Sequence, residues 1–219
     1  MKIIKQVIPA ILEKHDGIAI KKAYAVQEFV KCIHLDIADS TFVNNITVLD
    51  PKILKKLPPN CIYEVHLMVD NPLNYVYSFL EEGVYMSYIH LEIPNIEKVL
   101  KKLELVKSKI GLVVDGQTSI EKIYPYINNF KHILVMGIKA GFSGQTFLES
   151  TVSKVRKLKE LDQNVVISVD GGINEKTAKS VIKAGADNIV SASFIHNSTD
   201  VSKVIMELEE LFNIQKQQL

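Results

Sequence analysis

Two histidines and two aspartates stand in short apolar runs of this chain, a combination that could bind a metal ion. His34 and Asp36 belong to Cys32-Ile-His-Leu-Asp-Ile37, and because they are two residues apart, a β-strand would carry both side chains on one face. His66 and Asp170 come near the ends of two further apolar runs. If these runs form neighbouring parallel strands, two imidazoles and two carboxylates meet, a ligand set that suits a divalent transition metal. The alternatives are a histidine buried in a core and an aspartate that caps a turn.

The elements that must position these residues alternate between strand-length apolar runs and longer amphipathic segments. The predicted strands are residues 5–11, 32–37, 61–68, 87–93, 109–114, 132–138, 164–169 and 187–191. The predicted helices include residues 72–82, 96–106, 147–161 and 175–184. Asn71-Pro72 and Asn174 suit helix starts, and Gly83 and Gly185 suit left-handed helix ends.

Eight such alternations without a change of composition predict an α/β fold, a single-domain (β/α)8 TIM barrel over residues 1–219. A doubly wound open sheet is the alternative. The glutamine-rich segment from about residue 214 to 219 is expected to be a frayed tail. In a barrel the active site lies at the carboxyl ends of the strands, where all four candidate ligands fall.

The composition is that of an ordinary globular protein and argues against several classes of partner. The 26 basic and 25 acidic residues give a net charge of +1, without the basic block that nucleic-acid binding would need. No apolar segment approaches the length of a membrane helix, and the start of the chain does not resemble a signal peptide. Cys32 and Cys61 begin strand-like runs, where reduced thiols are expected, so we expect a cytoplasmic protein.

A second group of residues follows the last three predicted strands and is rich in glycine. Glycine lets backbone amides approach an anion closely, and phosphate sites recur at this end of barrels. The predicted phosphate-binding residues are Gly141, Phe142, Ser143, Gly144, Gly171, Gly172, Ala192 and Ser193. Any one of these clusters alone could be only a turn. Neither nucleotide-binding glycine motif is present, so binding by those routes is not expected.

Five segments together resemble the ribulose-phosphate 3-epimerase family over nearly the whole chain. They are Ile8-Pro-Ala-Ile-Leu12, His34-Leu-Asp-Ile-Ala-Asp39 with Phe42-Val-Asn-Asn-Ile-Thr47, His66-Leu-Met-Val69, Val135-Met-Gly-Ile-Lys-Ala-Gly-Phe-Ser-Gly-Gln145 and Val169-Asp-Gly-Gly-Ile173. The resemblance implies a barrel of the ribulose-phosphate-binding type and a homo-oligomer, dimeric or larger. It also implies a ketose phosphate substrate, most often D-ribulose 5-phosphate.

In that family the residues matching His34, Asp36, His66 and Asp170 hold one divalent metal per subunit. Zinc, iron, manganese and cobalt all suit such a set. The residues matching Asp36 and Asp170 also exchange the proton, and His66 is expected to contact substrate as well. This agrees with the chemistry, because epimerisation beside a ketone needs one group to remove a proton and another to return one. Met68 and Met136 match methionines that line the family's pocket.

The chain departs from the family pattern around the pocket while keeping the ligands and both aspartates. The departures are Ala10, Ala38, Ser40, Lys139, Ala140 and Ala192. Three interpretations follow: an epimerase for ribulose 5-phosphate or a related ketose phosphate such as a hexulose 6-phosphate, a non-catalytic sugar-phosphate-binding relative, or another phosphate-binding barrel enzyme. The last is disfavoured because no lysine–aspartate pair is apparent at a strand end. His90 could line the barrel mouth but is given no ligand role.

Overall fold

The computed structural model describes residues 6–217, and in it eight parallel strands close into a barrel in sequence order. The strands are β1 Gln6–Ile11, β2 Cys32–Ala38, β3 Ile62–Met68, β4 Met86–His90, β5 Ile110–Val114, β6 His132–Met136, β7 Val166–Asp170 and β8 Asn188–Ser191. β8 pairs with β1 and completes the ring. The (β/α)8 barrel is therefore confirmed, and the open-sheet alternative is wrong. Residue 5, predicted to begin the first strand, lies outside the described residues.

Alternation along the strands divides the apolar residues into two layers, as the period of two requires. One set faces outward and packs against the helices, with Ile33, Leu35 and Ile89 as fully or almost fully buried examples. The other set fills the barrel interior and includes Ile8, Ala10, Cys32, Met86, Tyr88, Val113, Leu134 and Val190. Polar residues of β2, β3 and β7 continue the interior rows towards the open, carboxyl-terminal end.

Within residues 6–217, seven α-helices accompany the strands. They are α1 Asp16–Val26, α2 Leu73–Glu81, α3 Ile96–Lys102, α4 Ser150–Leu161, α5 Glu175–Ala184, α6 Ser193–His196 and α7 Val201–Gln217. At the start of α5, the Asn174 side chain accepts from the Thr177 amide while Thr177 accepts from the Asn174 amide. At its end, Gly185 has a φ of 115°, which confirms the expected left-handed cap.

The crossovers are less regular than eight complete strand–helix alternations. Between β2 and β3 and between β5 and β6, the chain forms 3-10 helices at Pro51–Lys56 and Ile120–Ile123. The predicted helix 96–106 ends as an α-helix at Lys102 and continues into a 3-10 helix at Glu104–Lys109. These short connections leave the barrel closed, because each still spans the distance back to the amino end of the next strand.

At the end of the described chain, α7 continues to Gln217 and so replaces the frayed tail predicted from residue 214. The helix extends because its inner face carries Ile205, Leu208 and Phe212, which are buried against the core. Residues 218–219 lie outside the described residues. Among residues 6–217, no helix has both the length and the apolar character that a membrane crossing demands.

Candidate metal and phosphate site

The four predicted ligands meet at the carboxyl-terminal end of the barrel. One donor atom from each of His34, Asp36, His66 and Asp170 lies within 4.8 Å of the others, and all four residues are buried. β2 and β3 are paired so that Asp36 stands opposite His66. His66 Nδ1 lies 2.9 Å from Asp36 Oδ1 and 3.9 Å from Asp170 Oδ2. The strand ends thus place the side chains of β2, β3 and β7 around one point.

His34 directs one ring nitrogen at the cluster and the other away from it. Its Nδ1 lies 2.7 Å from Glu64 Oε1, a carboxylate buried in the barrel interior. Its Nε2 lies 3.6 Å from Asp36 Oδ1 and has no hydrogen-bond partner among the described residues. With Glu64 accepting from Nδ1–H, Nε2 is the nitrogen of His34 that faces the cluster.

Glu64 was missed by the sequence analysis. The available signal was a carboxylate in an apolar run two residues before His66, hence on the same strand face. A buried carboxylate needs a partner, and the imidazole of His34 supplies it. Glu64 therefore holds the ring of His34 in place from behind.

His66 is also held from behind, but by another imidazole. Its Nε2 lies 2.7 Å from His90 Nε2, and His90 Nδ1 lies 3.0 Å from Glu92 Oε2. The ring of Phe42 packs on His90 with centroids 4.5 Å apart. His90 has no exposed surface and lies at the carboxyl end of β4, close to the barrel mouth where the sequence analysis placed it without a role.

The two aspartates of the cluster have opposite electrostatic environments. Burial raises the pKa of Asp36, but the neighbouring imidazoles of His34 and His66 outweigh it and hold that pKa below its usual value. Burial, together with the nearby charge of Asp36, raises the pKa of Asp170 to about 6. Burial lowers the pKa of His34, yet the carboxylates of Asp36 and Glu64 bring it well above its usual value. Before any cation binds, the site thus holds one ionised carboxylate and one that accepts a proton near neutrality.

This donor set fits a divalent cation. A buried imidazole nitrogen without a partner costs free energy, and His34 Nε2 is such an atom. A cation at the cluster would satisfy it and also neutralise the two neighbouring carboxylates. Two imidazoles and two carboxylates suit zinc, iron, manganese or cobalt, since all four accept nitrogen and oxygen ligands.

A recess of about 450 Å³, counting the space open to solvent, lies directly above the cluster. Asp36, His66 and Asp170 form its floor, and Met68 and Met136 line its sides. The rest of the lining is Leu12, Ile138, Gly141, Phe142, Ser143, Gly144, Gly171, Gly172, Ile173, Val190, Ser191, Ala192 and Ser193. All eight residues predicted to bind phosphate therefore line the same recess as the candidate ligands.

Two glycines of this lining have backbone conformations that other residues would strain. Gly171 has a φ of 95°, and a Cβ there would lie 2.3 Å from Cγ1 of Ile138. Gly172 has a φ of 68°, and a Cβ there would lie 2.9 Å from Cβ of Phe147. The chain immediately after Asp170 can therefore turn beside the recess only because both positions lack a side chain.

The residues that depart from the family pattern are spread over different surroundings. Ala192 lines the recess, Lys139 is exposed, and Ala38 and Ala140 are buried. Ala10 does not line the recess, contrary to expectation: it stands opposite His34 in the pairing of β1 with β2 and is fully buried in the barrel interior. Ser40 has a φ of 67°, a conformation that favours the glycine it replaces in the family pattern.

Known proteins with similar sequences include a family of enzymes and two of its members. The sequence model of the ribulose-phosphate 3 epimerase family matches residues 6–196. The ribulose-phosphate 3-epimerase of Bacillus subtilis is 31% identical over 185 residues, covering 81% of this chain and 85% of the relative. That of Methanocaldococcus jannaschii is 34% identical over 190 residues, covering 83% of this chain and 79% of the relative.

Solved structures with the same fold include more distant enzymes. The 3-keto-L-gulonate-6-phosphate decarboxylase of Vibrio cholerae superposes with a TM-score of 0.73 at 13% identity, over 97% of this chain and 99% of that one. The 3-hexulose-6-phosphate synthase of Salmonella typhimurium gives a TM-score of 0.72 at 13% identity, over 96% and 99%. Identities this low indicate a shared barrel and nothing about the reaction.

Proposed function

This chain belongs to the ribulose-phosphate 3-epimerase family of carbohydrate isomerases, and on that premise we propose that it converts D-ribulose 5-phosphate to D-xylulose 5-phosphate. The reaction inverts C3 through a 2,3-enediolate. The observation that carries the proposal is the pair Asp36 and Asp170, buried beside two imidazoles on the floor of a recess with glycine-rich walls.

The two aspartates suit the proton transfers because they favour different protonation states. In the metal-free site the histidine neighbours of Asp36 lower its pKa, whereas burial and the charge of Asp36 raise the pKa of Asp170 to about 6. The two carboxyl groups thus differ in proton affinity, as a proton acceptor and a proton donor should. They come from β2 and β7, which are separated around the barrel by β1 and β8. Side chains from separate strands can approach C3 of the substrate from different directions.

One divalent cation per subunit would be held by His34, Asp36, His66 and Asp170. When bound, it would act as a Lewis acid that stabilises the negative charge developing on the substrate oxygens. The protein's part is to orient the ligands: Glu64 holds His34, and the pairing of β2 with β3 sets Asp36 opposite His66.

The substrate phosphate would lie against the loops that follow β6, β7 and β8. Gly141, Gly144, Gly171 and Gly172 have positive φ values, which opens the backbone of these loops towards the recess. Anchoring the phosphate there fixes which carbon of the sugar lies between the two aspartates. Phe142 is half exposed and forms the outer edge of the same wall.

The test is incubation of the metal-loaded protein with ribulose 5-phosphate in D₂O, followed by NMR of the sugar. We expect deuterium at C3 and formation of xylulose 5-phosphate. A parallel incubation with a hexulose 6-phosphate tests the alternative substrate. Tight binding of either sugar without exchange would instead support a non-catalytic binding protein.

Homo-oligomerisation and a cytoplasmic location stay predictions. Cys32 and Cys61 are both buried and free, which agrees with a reducing compartment. Sedimentation of the purified protein would test the first, and fractionation of the source cells would test the second.

A further inference from the structure

We propose that Glu92 is a positioning residue that acts through His90 to keep the Nδ1 lone pair of His66 free for the cation. The inference rests on the proposed metal site. Its basis is an unbroken chain of short contacts, Asp36–His66–His90–Glu92, in which each ring nitrogen has one partner.

With both rings neutral, as His66 must be when a cation occupies its Nδ1, the contact between the two imidazoles allows two arrangements. His66 Nε2 and His90 Nε2 lie 2.7 Å apart, so one proton stands between them and one nitrogen must donate to the other. If His66 donates, its Nδ1 is free to bind a cation as a neutral imidazole. If His90 donates, neutral His66 carries its proton on Nδ1, and that nitrogen cannot be a ligand.

Glu92 decides between the two arrangements. An ionised carboxylate only accepts hydrogen bonds, so Glu92 Oε2, 3.0 Å from His90 Nδ1, requires a proton on that nitrogen. Neutral His90 then has its lone pair on Nε2, where it accepts from His66. Through the ring of His90, the carboxylate of Glu92 thus determines whether His66 carries its proton on Nε2 or on the metal-facing Nδ1.

The second oxygen of Glu92 fixes the carboxylate itself. Oε1 accepts from the backbone amide of Asp115 at 3.0 Å, and that amide can only donate. The ring of His90 is fully buried and packs against Phe42, so it is shielded from water. The Glu92 end of the chain is therefore set by groups that cannot reverse their role. At the other end Asp36, also an acceptor, holds a proton on His66 Nδ1 until a cation displaces it.

The isosteric variant Glu92→Gln gives a sharp test. Its amide oxygen must face the Asp115 amide, which leaves the NH₂ group facing His90 Nδ1. That nitrogen then accepts, His90 donates from Nε2, and His66 is protonated on Nδ1. We expect zinc affinity, measured by competition with a chromophoric chelator, to fall by about 10- to 100-fold.

Asp115→Asn is the matched control. It removes one negative charge beside Glu92. The Asp115 side chain accepts a hydrogen bond from the Ala140 amide, and an asparagine oxygen can accept the same bond. We expect zinc affinity close to that of the parent. An equal loss in both variants would show that charge, and not the tautomer, controls binding, and would overturn the proposal.

A second substitution separates a tautomer effect from a loosened fold. In the double variant His90→Gln, Glu92→Gln, the carboxamide at position 90 can accept from His66 Nε2 through its oxygen, and there is no second ring to shift. We expect the double variant to bind zinc more tightly than Glu92→Gln alone. Continued loss on adding His90→Gln would contradict the proposal.

Nitrogen-15 NMR of the zinc-loaded parent shows which ring nitrogens of His66 and His90 carry protons, without the need for a variant. The proposal requires a proton on His90 Nδ1 and on His66 Nε2, and the opposite pattern overturns it. A parent that binds no zinc would refute the proposed metal site and this inference together. A parent that binds zinc, with Glu92→Gln binding equally well, would refute only this inference.

Discussion

The side-chain amide of Asn45 donates a hydrogen bond of 2.8 Å to the backbone carbonyl oxygen of Gly141. Asn45 lies in the loop after β2, and Gly141 begins the glycine-rich loop after β6. The same two loops touch at Val43, whose Cβ would lie 3.0 Å from a Cβ placed on Gly141. The wall proposed to hold the phosphate is thus tied to the loop that follows the Asp36 strand.

Asn45→Ala should therefore weaken substrate binding more than turnover. The variant removes the side-chain donor to the Gly141 carbonyl and lets the 141–144 loop move. A lost neutral hydrogen bond of about 0.5–1.5 kcal/mol corresponds to a rise in KM of about 2- to 10-fold. Steady-state kinetics with ribulose 5-phosphate measure it, and the exposed neighbour Asn44→Ala is the control. An unchanged KM would show that the hydrogen bond from Asn45 to Gly141 does not affect phosphate binding.

Removing the imidazoles of the cluster should remove the metal. Each of His34→Ala and His66→Ala gives up one coordinate bond, so occupancy after dialysis against a weak chelator should fall at least about tenfold. The exposed His15→Ala serves as the control. Metal content by atomic emission makes the measurement, and full content in the double variant His34→Ala, His66→Ala would exclude these ligands.

Replacing either aspartate by asparagine should abolish epimerisation while sparing binding. Asp36→Asn and Asp170→Asn keep the shape and one oxygen but lose the proton carrier, so kcat should fall by at least the ~10²–10⁴-fold typical of general acid–base groups. Deuterium exchange at C3 then distinguishes their roles, because a variant lacking only the donor can still remove the proton. Parental turnover by Asp170→Asn would exclude Asp170 from the reaction.

The ligand cluster could be predicted from sequence because each of its members is marked locally. His34 and Asp36 share a strand face by spacing alone, and barrel topology places strand ends together. The glycine-rich loops carry the same kind of local signal. What these residues touch from behind is not local: the contact of His66 with His90 depends on how far two neighbouring strands are displaced along each other.

The position of Ala10 also depends on the stagger of neighbouring strands, which the sequence pattern does not determine. Its motif predicts a place in the pocket, but the stagger of the strands sets Ala10 level with His34, in the barrel interior. A displacement of one or two residues along a strand decides between recess and interior. Hydrophobic pattern alone does not determine that displacement, because both positions are apolar and buried.

Ala192→Gly should raise kcat/KM for ribulose 5-phosphate. Ala192 lines the recess where a backbone amide is expected to approach the phosphate, and its methyl group limits that approach. Regaining a hydrogen bond of about 0.5–1.5 kcal/mol corresponds to an increase of about 2- to 10-fold. Ala10→Ser, which lies outside the recess, should give no such gain. A decrease with Ala192→Gly would indicate a pocket adapted to another ketose phosphate.

His196 should make the fold lose stability as the pH falls from 6.5 towards 4. Burial, followed by the charge of Lys22, lowers the pKa of His196 to about 4, while its ring nitrogen lies 3.0 Å from the carbonyl oxygen of Ala10. The unfolded chain binds a proton at its ordinary pKa, so between these two values it holds more protons than the folded chain. Acidification therefore favours unfolding across this window, and above it the effect is absent.

His196→Gln removes this titration and keeps a donor for the Ala10 carbonyl. A shift of one pKa unit corresponds to about 1.4 kcal/mol. Allowing for partial exposure of the ring, the free energy of unfolding of the parent should fall by on the order of 2 kcal/mol more than that of the variant between pH 7 and pH 4.5. Urea unfolding at both pH values measures the difference, since the remaining groups titrate alike in the two proteins. Parallel losses of stability would show that His196 is protonated as readily in the folded chain as in the unfolded one.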